Sequence, residues 1–345
     1  MYYLLEDKLL LTNYVILFTI NMVIQMIEKL YIFESDSFDP YLNIATEKCL
    51  FDSCPENALI LYLWQNENTV VIGRNQNPWN ECRCRELEAD GGHLARRLSG
   101  GGAVFHDIGN LNFTFICHSE NYDLARQMSV IAEACKKADI ETTLSGRNDI
   151  LADGRKFSGN AFYNSKGRSY HHGTLLINSD GEKIANYLTP SLKKLNAKGV
   201  SSVRSRVVNL SELSPALTVK KMKEYMSQAA AELYCLNAEA FPLPDTEKVT
   251  EYRALYSSDE WKYGSTLPFS ASFNERFDWG QIELRLQVEK GIVSAVQVFT
   301  DSMDHTLADS IKTALLNSEF EKTVIQKQLS HIPFADDILT LFKEI

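Results

Sequence analysis

The chain of 345 residues carries 35 Lys and Arg against 45 Asp and Glu, which gives a formal net charge of −10 at pH 7. A phosphate backbone attracts a basic face, so this charge argues against nucleic acid as the main partner. With 45% hydrophobic residues, the chain is long enough to bury a full core and more than one domain. Its 7 scattered cysteines exclude the disulfide framework of a small secreted domain and predict a cytoplasmic protein.

Residues 1–26 form an N-terminal extension of uncertain status. The stretch from Leu9 to Ile27 has nearly the length and apolarity of a membrane span, but Asn13, Asn21 and Gln25 weaken its hydropathy. No clear small-residue cleavage site follows it. An upstream extension or a wrongly chosen start codon is favoured over a membrane anchor or extra structure.

Residues 27–246 are expected to form an α+β domain with a mixed or antiparallel sheet flanked by helices. Hydrophobic periodicity predicts its elements. The strands are Leu30 to Glu34, Leu59 to Trp64, Thr69 to Gly73 and Asn112 to Ile116, and the helices are Pro40 to Asp52, Met128 to Ala138 and about Lys220 to Leu233.

A small α+β domain is expected at residues 247–345, after a linker from Asn237 to Asp245 that contains two prolines. Clean alternation of apolar and polar residues predicts two strands there. The predicted elements are strands Gln281 to Val288 and Ile292 to Thr300, and helices Leu307 to Leu315 and Ala335 to Phe342.

Three consecutive glycines, Gly100, Gly101 and Gly102, follow Arg97 and Ser99. Without Cβ atoms, such a turn lets a ligand lie against backbone N–H groups, and those donors suit a phosphate or carboxylate. Tight turns use glycine for purely structural reasons as well. The spacing matches neither a P-loop nor a dinucleotide fingerprint.

A second group of candidate residues surrounds Lys156. The trio Ile150 to Ala152, followed by Asp153 and Gly154, predicts a strand closed by a tight hairpin turn, which places Lys156 on the returning strand. Small neighbours favour a fixed cation that faces a ligand over a solvated strand charge. Asn148 and Asp149 offer oxygen ligands of the kind that Mg²⁺ accepts beside phosphates, although such residues beside a glycine also form ordinary turns.

These motifs carry a resemblance to lipoate–protein ligase. It rests on the runs RRLSGGGAVFHDIGNLNF (Arg96 to Phe113), SGRNDILADGRKFSGNAF (Ser145 to Phe162), HHGTLLIN (His171 to Asn178), LKKLNAKGVSSVRSRVVNL (Leu192 to Leu210), EWKYG (Glu260 to Gly264), FNERFDWG (Phe273 to Gly280) and QVFTDSM (Gln297 to Met303). The resemblance covers nearly everything from about Ile27 to the C-terminus. It implies a biotin/lipoate ligase-like large domain with a small accessory domain.

The resemblance implies a reaction in two steps. ATP and lipoate give lipoyl-adenylate and pyrophosphate, and the lipoyl group then passes to one lysine of a carrier domain. The implied carriers are lipoyl domains of 2-oxoacid dehydrogenase E2 subunits and the glycine cleavage H protein. ATP is the co-substrate, Mg²⁺ the metal, and lipoate or octanoate the acid.

The resemblance also assigns residues. Lys156 is the implied catalytic residue, which touches both carboxylate and phosphate. The implied ATP-binding residues are Arg97, Gly102, Ala103, Val104, Phe105 and Lys156, the lipoate-binding residues are Lys156, Gly101, Gly102 and His172, and Asn148 and Asp149 lie beside the metal.

Two other functions stay open. An octanoyl or lipoyl transferase would use a carrier thioester and a cysteine, and Cys117 is the cysteine nearest in sequence to the glycine run. A non-catalytic lipoate-binding module is the second alternative, but it would not need the phosphate-facing residues. The basic stretch from Ser191 to Ser211 contains no carboxylate and is expected to close over the adenylate, to meet an acidic carrier, or to be a solvated loop.

Overall fold

A mixed eight-stranded sheet forms the centre of the larger part of the molecule. The computed structural model describes residues 27–145, 148–188, 207–263, 271–289 and 291–342. Predictions for the N-terminal extension and for most of the basic stretch lie outside these residues. Among them, no helix combines the length and apolarity needed to cross a membrane.

The strands of this sheet are β1 (Lys29–Glu34), β2 (Ala58–Trp64), β6 (Asn110–His118), β7 (Thr143–Ser145), β8 (Asp149–Ala152), β9 (Arg155–Ser165), β10 (Arg168–Leu176) and β11 (Ala238–Ala240). They lie in the order β11-β1-β2-β6-β10-β9-β8-β7. Strand β1 is parallel to both β2 and β11, and the pairs from β2 through β7 are antiparallel. The sheet is therefore mixed, as the sequence predicts.

Strand β2 shows how the sheet holds two cores. Every residue of ALILYLW is buried, and successive side chains of a strand point to opposite faces. Leu59, Leu61 and Leu63 join one apolar cluster, whereas Tyr62 and Trp64 join another. A continuous apolar run, rather than an alternating one, is typical of a strand covered on both faces.

Helices cover both faces of the large sheet. In this part of the chain they are α1 (Pro40–Ser53), α2 (Pro78–Glu81), α3 (Cys84–Ala89), α4 (Leu124–Lys136), α5 (Gly181–Tyr187), α6 (Leu210–Leu213), α7 (Val219–Tyr234), α8 (Thr246–Ser257) and α9 (Asp259–Tyr263). Helix α1 begins at Pro40 because the Asp39 carboxylate accepts hydrogen bonds from the first backbone N–H groups. Helices α4 and α7 contribute to the first cluster, and α1 and α8 to the second.

A second sheet of three short strands carries the glycine run. It consists of β3 (Thr69–Ile72), β4 (His93–Arg96) and β5 (Val104–His106) in the order β4-β3-β5. Strand β3 is parallel to β4 and antiparallel to β5. The connection from β4 to β5 is the glycine loop, residues 97–103.

The C-terminal part has its own antiparallel sheet and core. The sheet contains β12 (Ala271–Phe277), β13 (Gly280–Glu289) and β14 (Ile292–Thr300), and it packs against α10 (Leu307–Leu315), α11 (Lys322–Leu329) and α12 (Ala335–Leu339). We call this part, residues 271–342, the small domain. Together with the large sheet it confirms the predicted α+β class.

Near the predicted domain boundary, the structure differs in two features from the linker and small domain that the sequence predicts. The expected linker contains β11, which pairs with β1 at the edge of the large sheet. Helices α8 and α9 pack on the large part: Tyr252 Oη donates to Asp52 at 2.8 Å, and Trp261 Nε1 donates to the Arg96 carbonyl at 2.9 Å. The division at residue 246 stays a prediction.

Candidate active site

Arg97 is buried beside the glycine loop and stabilises its conformation through hydrogen bonds. Its guanidinium donates to the carbonyl oxygens of Gly100 and Gly102 at 2.8 and 2.7 Å, and to that of Val71 at 3.1 Å. Its Nε donates to the Ser99 hydroxyl at 3.0 Å. Burial lowers the Arg97 pKa to about 10, still well above neutrality, so the side chain carries its charge.

The glycine loop also meets the small domain. Gly101, at a φ of +89°, donates its backbone N–H to the Ser302 carbonyl at 3.0 Å. A Cβ atom on Gly100 would lie 2.3 Å from the same carbonyl oxygen. A Cβ on Gly102, in contrast, would have no atom within 4 Å. Gly100 is therefore needed for the contact between domains, and Gly102 leaves open space for a ligand.

Lys156 lies on β9 just after the predicted hairpin turn, as the sequence indicates. Its Nζ is 2.7 Å from a carboxylate oxygen of Asp149 on β8. A Cβ on Gly159 would lie 2.9 Å from that Nζ, so Gly159 makes room for the ammonium itself. The Lys156 carbonyl accepts a hydrogen bond from Val208 N at 2.9 Å. The chain therefore lies beside Lys156 near the end of the basic stretch.

Asn148 is held by a network that begins in the core. Buried His171 donates through Nε2 to Asn160 Oδ1 at 2.9 Å, and Asn160 Nδ2 donates to the Asn148 carbonyl at 3.0 Å. Asn148 Nδ2 donates in return to the Asn160 carbonyl at 3.2 Å. The side chain and backbone of Asn148 are therefore fixed relative to β9.

His172 is part of a second buried network. Its Nδ1 lies 2.8 Å from a carboxylate oxygen of Glu47, and its Nε2 lies 2.7 Å from the Ser99 hydroxyl. The same Glu47 oxygen accepts a hydrogen bond from Thr114 Oγ1 at 2.7 Å. Since both imidazole nitrogens have partners, His172 orders the cavity wall rather than presenting a vacant base. Ser99 links this network to Arg97.

These residues surround one cavity of about 540 Å³. Every site residue that the resemblance assigns lines it, namely Arg97, Gly101, Gly102, Ala103, Val104, Phe105, Asn148, Asp149, Lys156 and His172. Their side chains or backbone therefore meet at one place. Leu188 and Val207, the described residues on either side of positions 189–206, line the same cavity.

One row of cavity-lining residues crosses five strands of the large sheet. Trp64 on β2 lies opposite Asn112 on β6, and Asn112 lies opposite Thr174 on β10. Gly159 N on β9 donates to the Thr174 hydroxyl at 3.3 Å, and Gly159 lies opposite Asp149 on β8. Neighbouring strands are about 4.8 Å apart, so the row is about 19 Å long. The cavity is elongated, with Asp149 and Lys156 towards one end and Trp64 at the other.

Sequence reasoning missed several residues of this cavity. The large part adds Glu47, Trp64 and Asn112, and the small domain adds Arg276, Asp278, Trp279, Asp301 and Met303. The small-domain residues fall within two of the motifs that carried the resemblance, but nothing in those motifs alone assigned them a role. Arg276 and Asp301 form an ion pair at 3.4 Å.

Within the described ranges, no group of three or more His, Cys, Asp or Glu side chains is arranged to hold a metal. The predicted magnesium ligands, Asn148 and Asp149, do lie side by side on the cavity wall. A magnesium ion bound with phosphates needs only one or two carboxylates from the protein, and Asp149 supplies one. The residues present therefore fit such an ion but do not form a site by themselves.

No cysteine lies on this cavity. All 7 cysteines fall within the described ranges, and none lines the cavity wall. Cys117 is fully buried in β6, and burial raises its pKa to about 12, so its thiol stays protonated. The alternative of acyl transfer through Cys117 therefore has no support from the geometry.

Comparison with known families decides the affiliation. Residues 39–231, more than half of the chain, match the lipoyl protein ligase A/B catalytic domain. The chain belongs to the lipoyl protein ligase A/B family. Residues 266–344 match the bacterial lipoate protein ligase C-terminus, which accounts for the small domain. The predicted lipoate–protein ligase affiliation is confirmed, and with it the assignment to a family of ligases.

Solved structures share the lipoyl ligase fold. LipL1 of P. falciparum, in complex with lipoate, is 27% identical with a TM-score of 0.81, over 92% of this chain and all of that one. Lipoate-protein ligase A bound with ATP is 22% identical with a TM-score of 0.59, over 69% of this chain and 99% of that one. The bipartite lipoate protein ligase of Thermoplasma acidophilum, described with its E2 lipoyl domain, is 23% identical with a TM-score of 0.60, over 71% and 100%.

Proposed function

We propose that this protein activates lipoate with ATP and transfers the lipoyl group to a lysine of a lipoyl carrier domain. The observation that carries the proposal is the Lys156–Asp149 pair at the polar part of an elongated cavity. A single cavity of this form accommodates an acid along its length and a nucleotide at the polar part. The affiliation with lipoyl protein ligases supplies the class of acid.

In the first step, a carboxylate oxygen of lipoate attacks the α-phosphorus of ATP. A mixed anhydride forms, and pyrophosphate leaves. Negative charge spreads over the phosphoryl oxygens, so positioned donors and cations supply most of the rate. Lys156 supplies the cation, and the backbone of Gly102 to Phe105 supplies amides. Ser158, a buried residue two positions after Lys156, also lines the cavity.

Lys156 suits an oxygen that changes its bonding. A point charge on a flexible stem can follow the oxygen from carboxylate to mixed anhydride, which a planar guanidinium does less easily. Arg97 has a different task, because its guanidinium is directed at carbonyl oxygens of the glycine loop. We propose that Arg97 acts on the nucleotide through this loop. Magnesium, when bound with the phosphates beside Asp149, would neutralise part of their charge.

In the second step, the amine of a carrier lysine attacks the acyl carbon, and AMP leaves. A lysine titrates near 10.4, so the attacking amine must lose a proton. The Lys156 ammonium disfavours a second positive charge nearby and so favours the neutral amine. E2 lipoyl domains and the glycine cleavage H protein are the proposed carriers. A cytoplasmic location fits these partners and stays a prediction.

A carrier-lipoylation assay with three acyl sources tests the proposal. The full chain is mixed with an apo lipoyl domain and either lipoate with ATP, preformed lipoyl-adenylate, or an octanoyl thioester of acyl carrier protein. We expect modification of the carrier, detected by mass spectrometry, from the first two sources only. Modification from the thioester that disappears in Cys117→Ala would instead establish the transferase alternative. Tight lipoate binding without modification from any source would establish a binding module.

A further inference from the structure

Glu47 on α1 is connected to Arg97 by a continuous series of side-chain contacts. Arg97 Nε donates to the Ser99 hydroxyl at 3.0 Å, and that hydroxyl lies 2.7 Å from Nε2 of His172. Nδ1 of His172 lies 2.8 Å from a carboxylate oxygen of Glu47. All four side chains are buried. We call these four residues the Glu47 network.

The Glu47 network joins a buried cation to a buried carboxylate. A guanidinium can only donate, so the Ser99 oxygen accepts from Arg97. At the other end, one Glu47 oxygen accepts from the Thr114 hydroxyl at 2.7 Å and contacts Nδ1 of His172. A carboxylate held against Nδ1 fixes the orientation of the imidazole ring, and with it the place of Nε2 beside Ser99.

Arg97 depends on this connection because it is a buried charge with neutral hydrogen-bond partners. Burial lowers the Arg97 pKa to about 10, and the charge of Glu47 acts in the opposite direction. Removing one member of a buried pair of charges leaves the other uncompensated. Within the described ranges, the guanidinium donates to the Ser99 hydroxyl and to the carbonyl oxygens of Val71, Gly100 and Gly102.

The place of the guanidinium decides where amides of the glycine loop point. In a trans peptide, the C=O and N–H groups point in opposite directions. Arg97 holds the carbonyl oxygens of Gly100 and Gly102. The N–H of Gly101 therefore points away from the guanidinium, and it donates to the small domain at 3.0 Å. By the same geometry the N–H of Ala103 points away from the guanidinium, and Ala103 lines the cavity.

We propose that Glu47 is a positioning residue for the nucleotide, which holds Arg97 in place through His172 and Ser99 so that the glycine loop presents its amides to ATP. The inference rests on the proposed function, which puts ATP at this loop. A carboxylate repels phosphates when it acts on them directly. Glu47 favours ATP binding because its charge acts on the guanidinium instead.

Calorimetry on the full chain and on its Glu47→Gln variant tests the sign of this effect. The Kd for ATP is measured without any acid, so binding is observed without the proposed reaction. We expect Glu47→Gln to weaken ATP binding about fivefold or more, in keeping with the loss of a hydrogen bond to a charged group. Direct repulsion between Glu47 and ATP would give tighter binding in this variant. Glu283→Gln, at a buried glutamate outside the cavity, should leave Kd unchanged.

Ser99→Ala interrupts the Glu47 network and keeps the contact between Glu47 and His172. Ser99 is fully buried and does not line the cavity. We expect this variant to lose ATP affinity to a similar extent as Glu47→Gln. The double variant should lose little more, because residues that act through one network have non-additive effects. A merely structural role for Glu47 would give losses that add.

Unchanged or tighter ATP binding by a folded Glu47→Gln variant would overturn the inference, as would additive losses in the double variant. If Glu47→Gln fails to fold, full ATP affinity in Ser99→Ala would overturn it as well. ATP binding without pyrophosphate release when lipoate is added would contradict the proposed function alone. Failure of the folded, unaltered chain to bind ATP would contradict both.

Discussion

The Lys156 ammonium lies 2.7 Å from a carboxylate oxygen of Asp149, across the hairpin that joins β8 to β9. This pair places a cation and an anion side by side on the wall of a cavity that extends to Trp64. The cation can meet a carboxylate or phosphoryl oxygen, and the anion can meet a metal or hold the cation in place.

Replacing Lys156 by Arg keeps the charge and changes its shape. We expect adenylate formation, measured as lipoate-dependent pyrophosphate release, to fall at least tenfold, which is about 1.4 kcal/mol of barrier. The reason is that a planar guanidinium follows the moving oxygen poorly. Lys137→Arg is the matched control, because Lys137 pairs with Glu232 away from the cavity. A near-normal rate for the Lys156 variant would refute the role assigned to its ammonium.

Gly159→Ala displaces the ammonium without removing it. The new Cβ would lie 2.9 Å from Lys156 Nζ and 3.2 Å from Cε, and the flexible end of the side chain must shift. We expect about a tenfold loss of pyrophosphate release, because small misplacements of reacting groups are costly. The melting temperature should change little. Gly181→Ala, where a Cβ would meet nothing within 4 Å, is the control. Equal rates for the two variants would show that the position of the ammonium is unimportant.

Gly100 and Gly102 both belong to the glycine loop, but replacing each of them by alanine should have a different effect. At Gly100 the Cβ would lie 2.3 Å from the Ser302 carbonyl oxygen, so backbone must move. We expect Gly100→Ala to reduce the free energy of unfolding by about 1–3 kcal/mol. Gly102→Ala should leave it unchanged and raise KM for ATP or lipoate, since its Cβ would enter open cavity. Thermal unfolding and steady-state kinetics on both variants distinguish these effects, and the reverse pattern would contradict them.

Two buried histidines make stability depend on pH. Burial is the main cause that lowers the pKa of both His106 and His171 to about 3, from an ordinary value near 6.5. Below about pH 6.5 the unfolded chain takes up protons that the folded chain does not, so stability is lost as the pH falls towards 3. Between about pH 7.5 and 5.5 we expect a loss of about 1 kcal/mol for each histidine. Urea unfolding at the two pH values measures it.

His106→Phe provides the comparison for the pH experiment. The variant should lose about half of this pH dependence, whatever its absolute stability. An identical pH dependence in the variant and the unaltered chain would show that His106 is protonated to the same extent in both states.

Local pattern was sufficient to predict much of this fold. The helix that begins at Pro40 was predicted from its apolar residues in helical register, and the β8–β9 hairpin from Asp153 and Gly154. Strands β4, β5, β7, β11 and β12 were not predicted. The first four are three or four residues long, and their pairing partners decide their conformation more than their own residues do.

The cavity-lining residues also fall into two groups, those that the sequence indicated and those that it did not. Lys156 and the glycine loop were found from the sequence because their chemistry is concentrated in short runs. Glu47 and Asn112 lie in an ordinary helix and an ordinary buried strand, and only the sheet brings them to the cavity. Asp301 comes from a separate domain. No local pattern could reveal pairings between positions so distant along the chain.

The central claim is tested most directly by measuring pyrophosphate release from ATP with and without lipoate. The measurement is made on the full chain with Lys156 intact and on the full chain with Lys156 replaced by alanine. The account predicts release that requires both lipoate and Lys156. Undiminished lipoate-dependent release from a folded Lys156→Ala variant, or no release from the folded unaltered chain, would contradict it.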